Sequence, residues 1–362
     1  MGRKILFIGF KRQDSILIGG GMANARSLRM LEGYFGSDNV CKRYILDEAV
    51  PRNIWSYMLA VLLLPFYYHN GLTPKKVKRI LEEAKSFDYV FLSTSVIAII
   101  AKKLKENGYK GRIITHYHNV ESIYYDAQVP RYMPGRSLIV KCAAHNDAFG
   151  CKYSDKIITL SQRDSIYLEK HYGRGADAVV SVSMEDKFQP VDEKIMTGKR
   201  PKCLFVGAYS IPNNDGVLFF VKQVLPYVDV DFKVVGRNMV KLKEENSCMK
   251  DIEVVNDAID LRPYFEEADF MILPVFSGSG MKVKTCESLM YGKNIIGTKE
   301  TFEGYNLDTD KVGGLCNNSK EFIDRINYFI HHPVTRYNPY AREVFLRNNS
   351  EESTQSVFCS VF

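Results

Sequence analysis

Short continuous apolar runs recur along the chain, and most lead into a small-residue loop and then a stretch with apolar positions three or four apart. Lys4–Gly9, Asp88–Ser93, Arg112–His116, Lys156–Leu160 and Val179–Val182 in the first half read as strands buried on both faces. So do Lys202–Gly207, Asp231–Val235, Ile252–Val255, Phe270–Pro274 and Asn294–Gly297 in the second. Helical spacing appears at Leu28, Leu31 and Phe35, after a loop expected to run from Phe10 to Asn24. Another helix opens at Thr73 and Pro74, a capping residue and a first-turn proline. Others are expected around Ser137–Tyr153, behind the capping pattern Ser161–Asp164, through Phe219, Phe220 and Val224, and from Phe322 to the end. The alternation occurs twice, on either side of the charged segment Glu185–Pro201. It predicts two doubly wound, Rossmann-like α/β domains facing across a cleft, with residues 1–185 in the first and 200–340 in the second.

One run breaks the alternation. Trp55–Tyr68 is apolar all round, contains Pro65, and is shorter than the roughly 20 residues a spanning helix needs. With no lysine-rich face interleaved, it is expected to pack as a core helix in preference to lying on a bilayer.

Composition narrows the class. With 46% hydrophobic and 25% charged residues over 362 positions, the chain has material for two ordinary cores. Eight cysteines show neither a C-x-x-C pair nor a regular spacing, which disfavours zinc sites and disulfide frameworks. The chain enters its first strand within a few residues of Met1, too soon for a secretory signal, so a cytoplasmic protein is expected. Residues 1–190 hold 28 Lys+Arg against 18 Asp+Glu, and the remainder 21 against 24. A basic first half suits an anionic membrane, at the inner face as a peripheral contact, or a lipid diphosphate. No nucleic-acid module is present, and nucleic acid is not expected as a partner.

The chemistry concentrates at residues 270–304. A strand ends at Pro274, a loop carries Gly278, Ser279 and Gly280, and a helical pattern runs from Met281 to Gly292 before the next strand. Glycines let the backbone approach a ligand with its N–H groups outward, and the helix adds the positive end of its dipole. Lys282 and Lys284 bring two cationic side chains to the same end. Glu287, one turn on, suits ribose hydroxyls and not phosphate. A nucleotide diphosphate fits this set. Arg237, just after a strand, is placed for a second phosphate contact, and Gly207 closes the first strand of the second half. The dinucleotide fingerprint is absent, so NAD is not supported.

These residues resemble the donor signature of family 4 glycosyltransferases (glycosyl transferases group 1) of the GT-B fold, in the branch Gly-Ser-Gly-x-Lys-x-Lys. The match falls on Gly278, Ser279, Gly280, Lys282, Lys284, Glu287, Ser288 and Gly292. Many relatives carry two glutamates eight positions apart, and the first falls on Ser279 here. Relatives often hold the diphosphate with an Arg and a Lys that are missing between Gly207 and Phe220; the turn Pro212-Asn213 stands there instead, leaving the cationic role to Lys282 and Lys284. His118-Asn119-Val120-Glu121 resembles the turn whose histidine faces the donor sugar, which singles out His118 as catalytic with Lys284 and Glu287. By the same resemblance Gly20 and Gly21 reach towards phosphate, Val255 and Asn256 line the base, and Gly278–Lys282, with Met281, cradle the donor. The last helix, 341–362, would return to the first domain.

The family implies a retaining, metal-independent transferase without a cofactor. It would move a hexose or N-acetylhexosamine from a UDP- or GDP-linked donor to a glycan or lipid-linked acceptor, in surface polysaccharide or glycoconjugate synthesis. Two other readings share the donor loop: a nucleotide-sugar epimerase or hydrolase, and a catalytically silent binding subunit of a glycosylation complex.

Overall fold

A computed structural model of the chain describes residues 2–9, 19–46, 54–69, 71–190, 200–278, 280–332 and 335–362. The strands are β1 (Ile5–Gly9), β2 (Val40–Tyr44), β3 (Tyr89–Leu92), β4 (Arg112–Tyr117), β5 (Lys156–Thr159), β6 (Ala178–Val179), β7 (Lys202–Val206), β8 (Asp231–Gly236), β9 (Glu253–Asn256), β10 (Phe270–Leu273), β11 (Asn294–Gly297) and β12 (Gly313–Leu315). The first seven helices are α1 (Gly19–Phe35), α2 (Ile54–Leu63), α3 (Pro74–Ala84), α4 (Ile99–Glu106), α5 (Glu121–Gln128), α6 (Arg136–Tyr153) and α7 (Gln162–Tyr172). Then follow α8 (Ile211–Gln223), α9 (Val240–Glu245), α10 (Arg262–Glu267), α11 (Val283–Met290), α12 (Thr309–Val312), α13 (Ser319–His331), α14 (Pro339–Asn348) and α15 (Glu351–Cys359).

The strands form two six-stranded parallel sheets, ordered β2-β1-β3-β4-β5-β6 and β12-β11-β10-β7-β8-β9. Each sheet therefore reverses its winding once, between β1 and β3 in one and between β7 and β10 in the other. Such reversals open a crevice at the carboxyl ends of the strands, where α/β sheets bind ligands. The chain divides into two units, Met1–Ser181 with Thr354–Phe362, and Val182–Ser353.

The first sheet shows why its strands are apolar without alternation. Leu6 and Ile8 face a cluster with Ile80 of α3 and Leu104 of α4. Ile5 and Phe7 face the other way, against Met30, Leu31 and Phe358. Phe7 stacks on Phe91 at 5.8 Å, and the Tyr89 hydroxyl donates to the Phe362 carbonyl at 2.9 Å. Burial of each such phenylalanine contributes about 2–3 kcal/mol. The caps follow their sequence signals: Thr73 accepts from Lys76 N ahead of Pro74, and Ser161 accepts from Asp164 N.

Four expectations need correction. Helix α1 already begins at Gly19, so Gly20 and Gly21 belong to its first turn and not to a loop reaching Asn24. The strand expected at Val179–Val182 is only Ala178–Val179; Val180 N still donates to the Thr159 carbonyl at 2.8 Å, and the second unit begins at Val182. There Asn349 Nδ2 donates to the Val182 carbonyl at 2.7 Å, Met184 N to the Asn349 carbonyl at 3.1 Å, and Arg342 pairs with Asp186. The C-terminal segment is two helices: α14 packs against α11 within the second unit, and the first unit takes only Thr354–Phe362. Finally, the 55–68 run is not a core helix. Trp55 is 74% exposed, Leu62 64% and Phe66 65%, while Leu64 is buried and Tyr67 and Tyr68 pack on the core. Apolar residues on every side leave the pattern with no face to assign.

Candidate functional site

In the second unit β7 and β10 flank the winding reversal, and the loops leaving their carboxyl ends meet at one lysine. Lys284, in the first turn of α11, donates to Asn213 Oδ1 in the first turn of α8, and its Nζ lies 4.3 Å from the Phe205 ring centroid. Gly207 is where this close approach is allowed. A Cβ there would stand 3.0 Å from Lys284 Nζ, 3.0 Å from Asn213 Nδ2 and 2.9 Å from the Phe205 ring. Gly278 and Gly280 have φ of 139° and 63°, and φ of this sign favours glycine. Ser279 lies outside the described residues.

Burial takes the Lys284 ammonium down to about 7, with Lys282 pushing the same way and Glu287 opposing. Burial likewise raises Glu287 to about 7 against the pull of Lys284 and Lys187. Lys282 is held differently: its Nζ sits 2.7 Å from Glu300 Oε1 and 2.9 Å from the Gly280 carbonyl. The expected pair of full positive charges is thus, near pH 7, one partly deprotonated amine and one ion-paired ammonium. Met281 is 6% exposed and its sulfur accepts from Val182 N, so its side chain belongs to the packing. Only its backbone is left for a ligand.

Arg237 follows β8 and is exposed. Val255 and Asn256 end β9, paired with Val235 and Gly236 of β8, so all three stand at the same carboxyl edge as Gly207. Asn256 Oδ1 accepts from Val240 N at 3.3 Å, committing the side chain to the start of α9.

In the first unit the carboxyl end of β4 delivers His116 and His118, whose rings meet edge-to-face at 4.5 Å. His116 Nδ1 is 3.2 Å from Ser27 Oγ of α1. His118 is 7% exposed; burial, and then Arg26, lower it to about 3, so it is a neutral imidazole at physiological pH. Its Nε2 is buried with no hydrogen-bond partner among the described residues. A buried polar atom of this kind costs free energy until a ligand supplies the bond. Beside it the start of α5 is pinned to α6: Asp147 accepts from Ser122 N at 2.9 Å, Glu121 N at 3.3 Å and Ser95 Oγ at 2.7 Å. Glu121 accepts from Thr94 at 2.9 Å, and burial, with Asp147 second, raises its carboxyl to about 8.

Residues 200–332 match the family model described as glycosyl transferases group 1. Over these residues the second unit is similar to group 1 glycosyltransferases. Solved structures similar to the whole chain include that of Anabaena Alr3699/HepE in complex with UDP and glucose, 13% identical with a TM-score of 0.67 over 99% of this chain and 98% of that one. The sucrose-phosphate synthase of Thermosynechococcus elongatus is 14% identical with a TM-score of 0.69, covering 99% and 96%. The lipopolysaccharide outer core galactosyltransferase WaaB is 14% identical with a TM-score of 0.64, covering 99% and 98%. No curated protein matches by sequence. The fold is GT-B.

Within the second unit the structure gathers Gly207, Gly278, Gly280, Lys282, Lys284 and Glu287 around the reversal of the sheet. Asn213 and Glu300 complete that set and were not singled out by their residue types. Asn213 had a signal in the Pro-Asn turn, whereas nothing local marks Glu300, 18 positions beyond its partner. Asp147 and Arg26 were likewise invisible, because they act through contacts distant in sequence.

Proposed function

We propose that the chain is a retaining, metal-independent glycosyltransferase. It moves a hexose or N-acetylhexosamine from a UDP- or GDP-linked donor to a glycan or lipid-linked acceptor, in surface polysaccharide or glycoconjugate synthesis in the cytoplasm. The observation that carries the reading is the convergence of Gly207, Asn213, Lys284 and the glycine loop on the winding reversal of a sheet that matches group 1 glycosyltransferases. The Anabaena structure with UDP and glucose supports a uridine donor.

The difficult step is departure of the nucleotide diphosphate, when negative charge grows on the oxygen leaving the sugar. An amine with a pKa near 7 takes up a proton when an anion arrives beside it, so Lys284 becomes fully charged where charge develops. Lys282, Arg237 and the first amides of α11 add to the same field. Glu287 accepts from ribose hydroxyls. A neutral His118 acts as a hydrogen-bond partner for a sugar hydroxyl and not as a proton carrier. Gly20 and Gly21, in the first turn of α1, are proposed to approach phosphate, and Val255 and Asn256 to border the base.

Peripheral contact with an anionic membrane belongs to the same proposal. No helix among the described residues is long and apolar enough to cross a bilayer, yet α2 and the turn after it expose Trp55, Leu59, Leu62 and Phe66. Helix α3, next along the chain, exposes Lys75, Lys78 and Arg79. Apolar side chains to enter the interface and cations for its headgroups are the two components of interfacial binding.

The test is a screen of UDP- and GDP-sugars by thermal shift, followed by assay of nucleotide diphosphate release with and without acceptor pools. Stabilisation by a nucleotide sugar and acceptor-dependent release are expected. Release that needs no acceptor would point to hydrolysis, and binding without turnover to a silent subunit.

A further inference from the structure

Lys282 is engaged before any ligand arrives. Its ion pair with Glu300 spans 2.7 Å, and the two side chains are only 11% and 18% exposed. Both partners are held on a fixed frame. The Tyr305 hydroxyl donates to the Lys282 carbonyl at 2.7 Å. Glu300 lies just beyond β11 in a turn whose hydroxyls, Thr298 and Thr301, donate to the carbonyls of Val275 and Leu273 at the end of β10. The carboxylate is thereby presented to the glycine loop, where a Cβ on Gly278 would be 3.5 Å from Lys282 Nζ. A carboxylate has no proton to give a phosphate and repels it, while a shielded pair is screened less than one in open water.

We infer that Glu300 is a resident counter-ion that occupies the Lys282 ammonium in the unliganded protein and must yield it to the donor's diphosphate. It thereby sets donor affinity. Glu300 acts through Lys282 and is a positioning residue. The inference rests on reading the loop as a diphosphate site, and it carries an unusual sign: weakening a contact inside the site improves binding. Its value to the enzyme is release, since a carboxylate ready to retake Lys282 helps expel the nucleotide diphosphate product.

The experiment measures affinity for UDP and for inorganic pyrophosphate by calorimetry in the full chain, in Glu300→Gln, in Lys282→Met and in the double variant. Glu300→Gln keeps the side chain's shape, and Glu300→Ala is run beside it, with melting curves for all. Glu300→Gln should bind both anions about tenfold more tightly, the scale of a coupled charge pair, and the gain should vanish in the Lys282→Met background. Unchanged or weaker binding in both Glu300 variants overturns the inference and leaves the diphosphate site standing. A gain that persists without Lys282 also overturns it. Binding of neither anion by the full chain, with or without the substitution, overturns the diphosphate reading itself.

Discussion

Lys284 and Glu287 sit one turn apart on α11 with both pKa values moved by burial to about 7, one from above and one from below. Lys284 loses its positive charge as pH rises through 7, and Glu287 gains its negative charge over the same interval, so the pair passes from net positive to net negative. Both changes oppose a diphosphate. Affinity for a UDP-hexose, whose own charge is constant in this range, should therefore fall by at least about fivefold between pH 6 and 8. The slope should flatten in the Lys284→Met/Glu287→Gln double variant, and calorimetry across pH checks it; a flat profile for the unaltered chain would exclude this titration. Glu121 gives a second residue-scale prediction. Its carboxyl, ordinarily near 4.5, is raised to about 8, so the folded chain keeps a proton that the unfolded chain has lost between those values. Its stabilising contribution is complete below 4.5 and declines as pH rises towards 8, by about 1.4 kcal/mol per pH unit. Glu121→Gln carries no such dependence. Its melting temperature should gain on the unaltered chain from pH 5 to pH 8, and a constant difference would show that Glu121 does not titrate this way.

At the scale of elements, the loops and short helices at the carboxyl edges carry the chemistry and the strands carry the frame. Helix α11 has eight residues, too few to be stable alone, and it holds because Thr285, Cys286, Leu289 and Met290 are buried beneath it. That packing turns Lys284 towards Gly207 and Asn213. Helix α2 is the opposite case, with large apolar side chains left in solvent. If those residues enter a bilayer surface, Trp55→Asp and Leu62→Asp should each reduce co-sedimentation with anionic vesicles by at least about fivefold, because each removes a buried side chain's worth of transfer energy and adds a repelled charge. Donor binding should be unaffected. Equal sedimentation of the variants and the unaltered chain would remove the membrane from the proposal.

At the scale of the whole molecule, two parallel sheets of the same size each reverse their winding once, and each places a polar cluster at its carboxyl edge. On the proposed reading, the second cluster supplies cations from side chains and helix ends in the role a divalent ion would otherwise fill beside a diphosphate. Transfer should accordingly survive excess EDTA, and loss of activity restored by added magnesium would refute metal independence. Much of this was legible in the chain itself. Continuous apolar runs such as Ile5–Ile8 and Phe270–Leu273 identify buried parallel strands because such strands have no solvent face, and the spacing of Gly278, Gly280, Lys282 and Lys284 points to the candidate loop because backbone freedom and charge are local properties. The side on which α2 lies, the partners of Lys282 and Lys284, and the uncharged state of His118 and Glu121 near pH 7 were decided only by tertiary structure. Burial and ion pairing depend on groups brought from distant positions, as Glu300 is brought to Lys282, and no local pattern of residues records that distance.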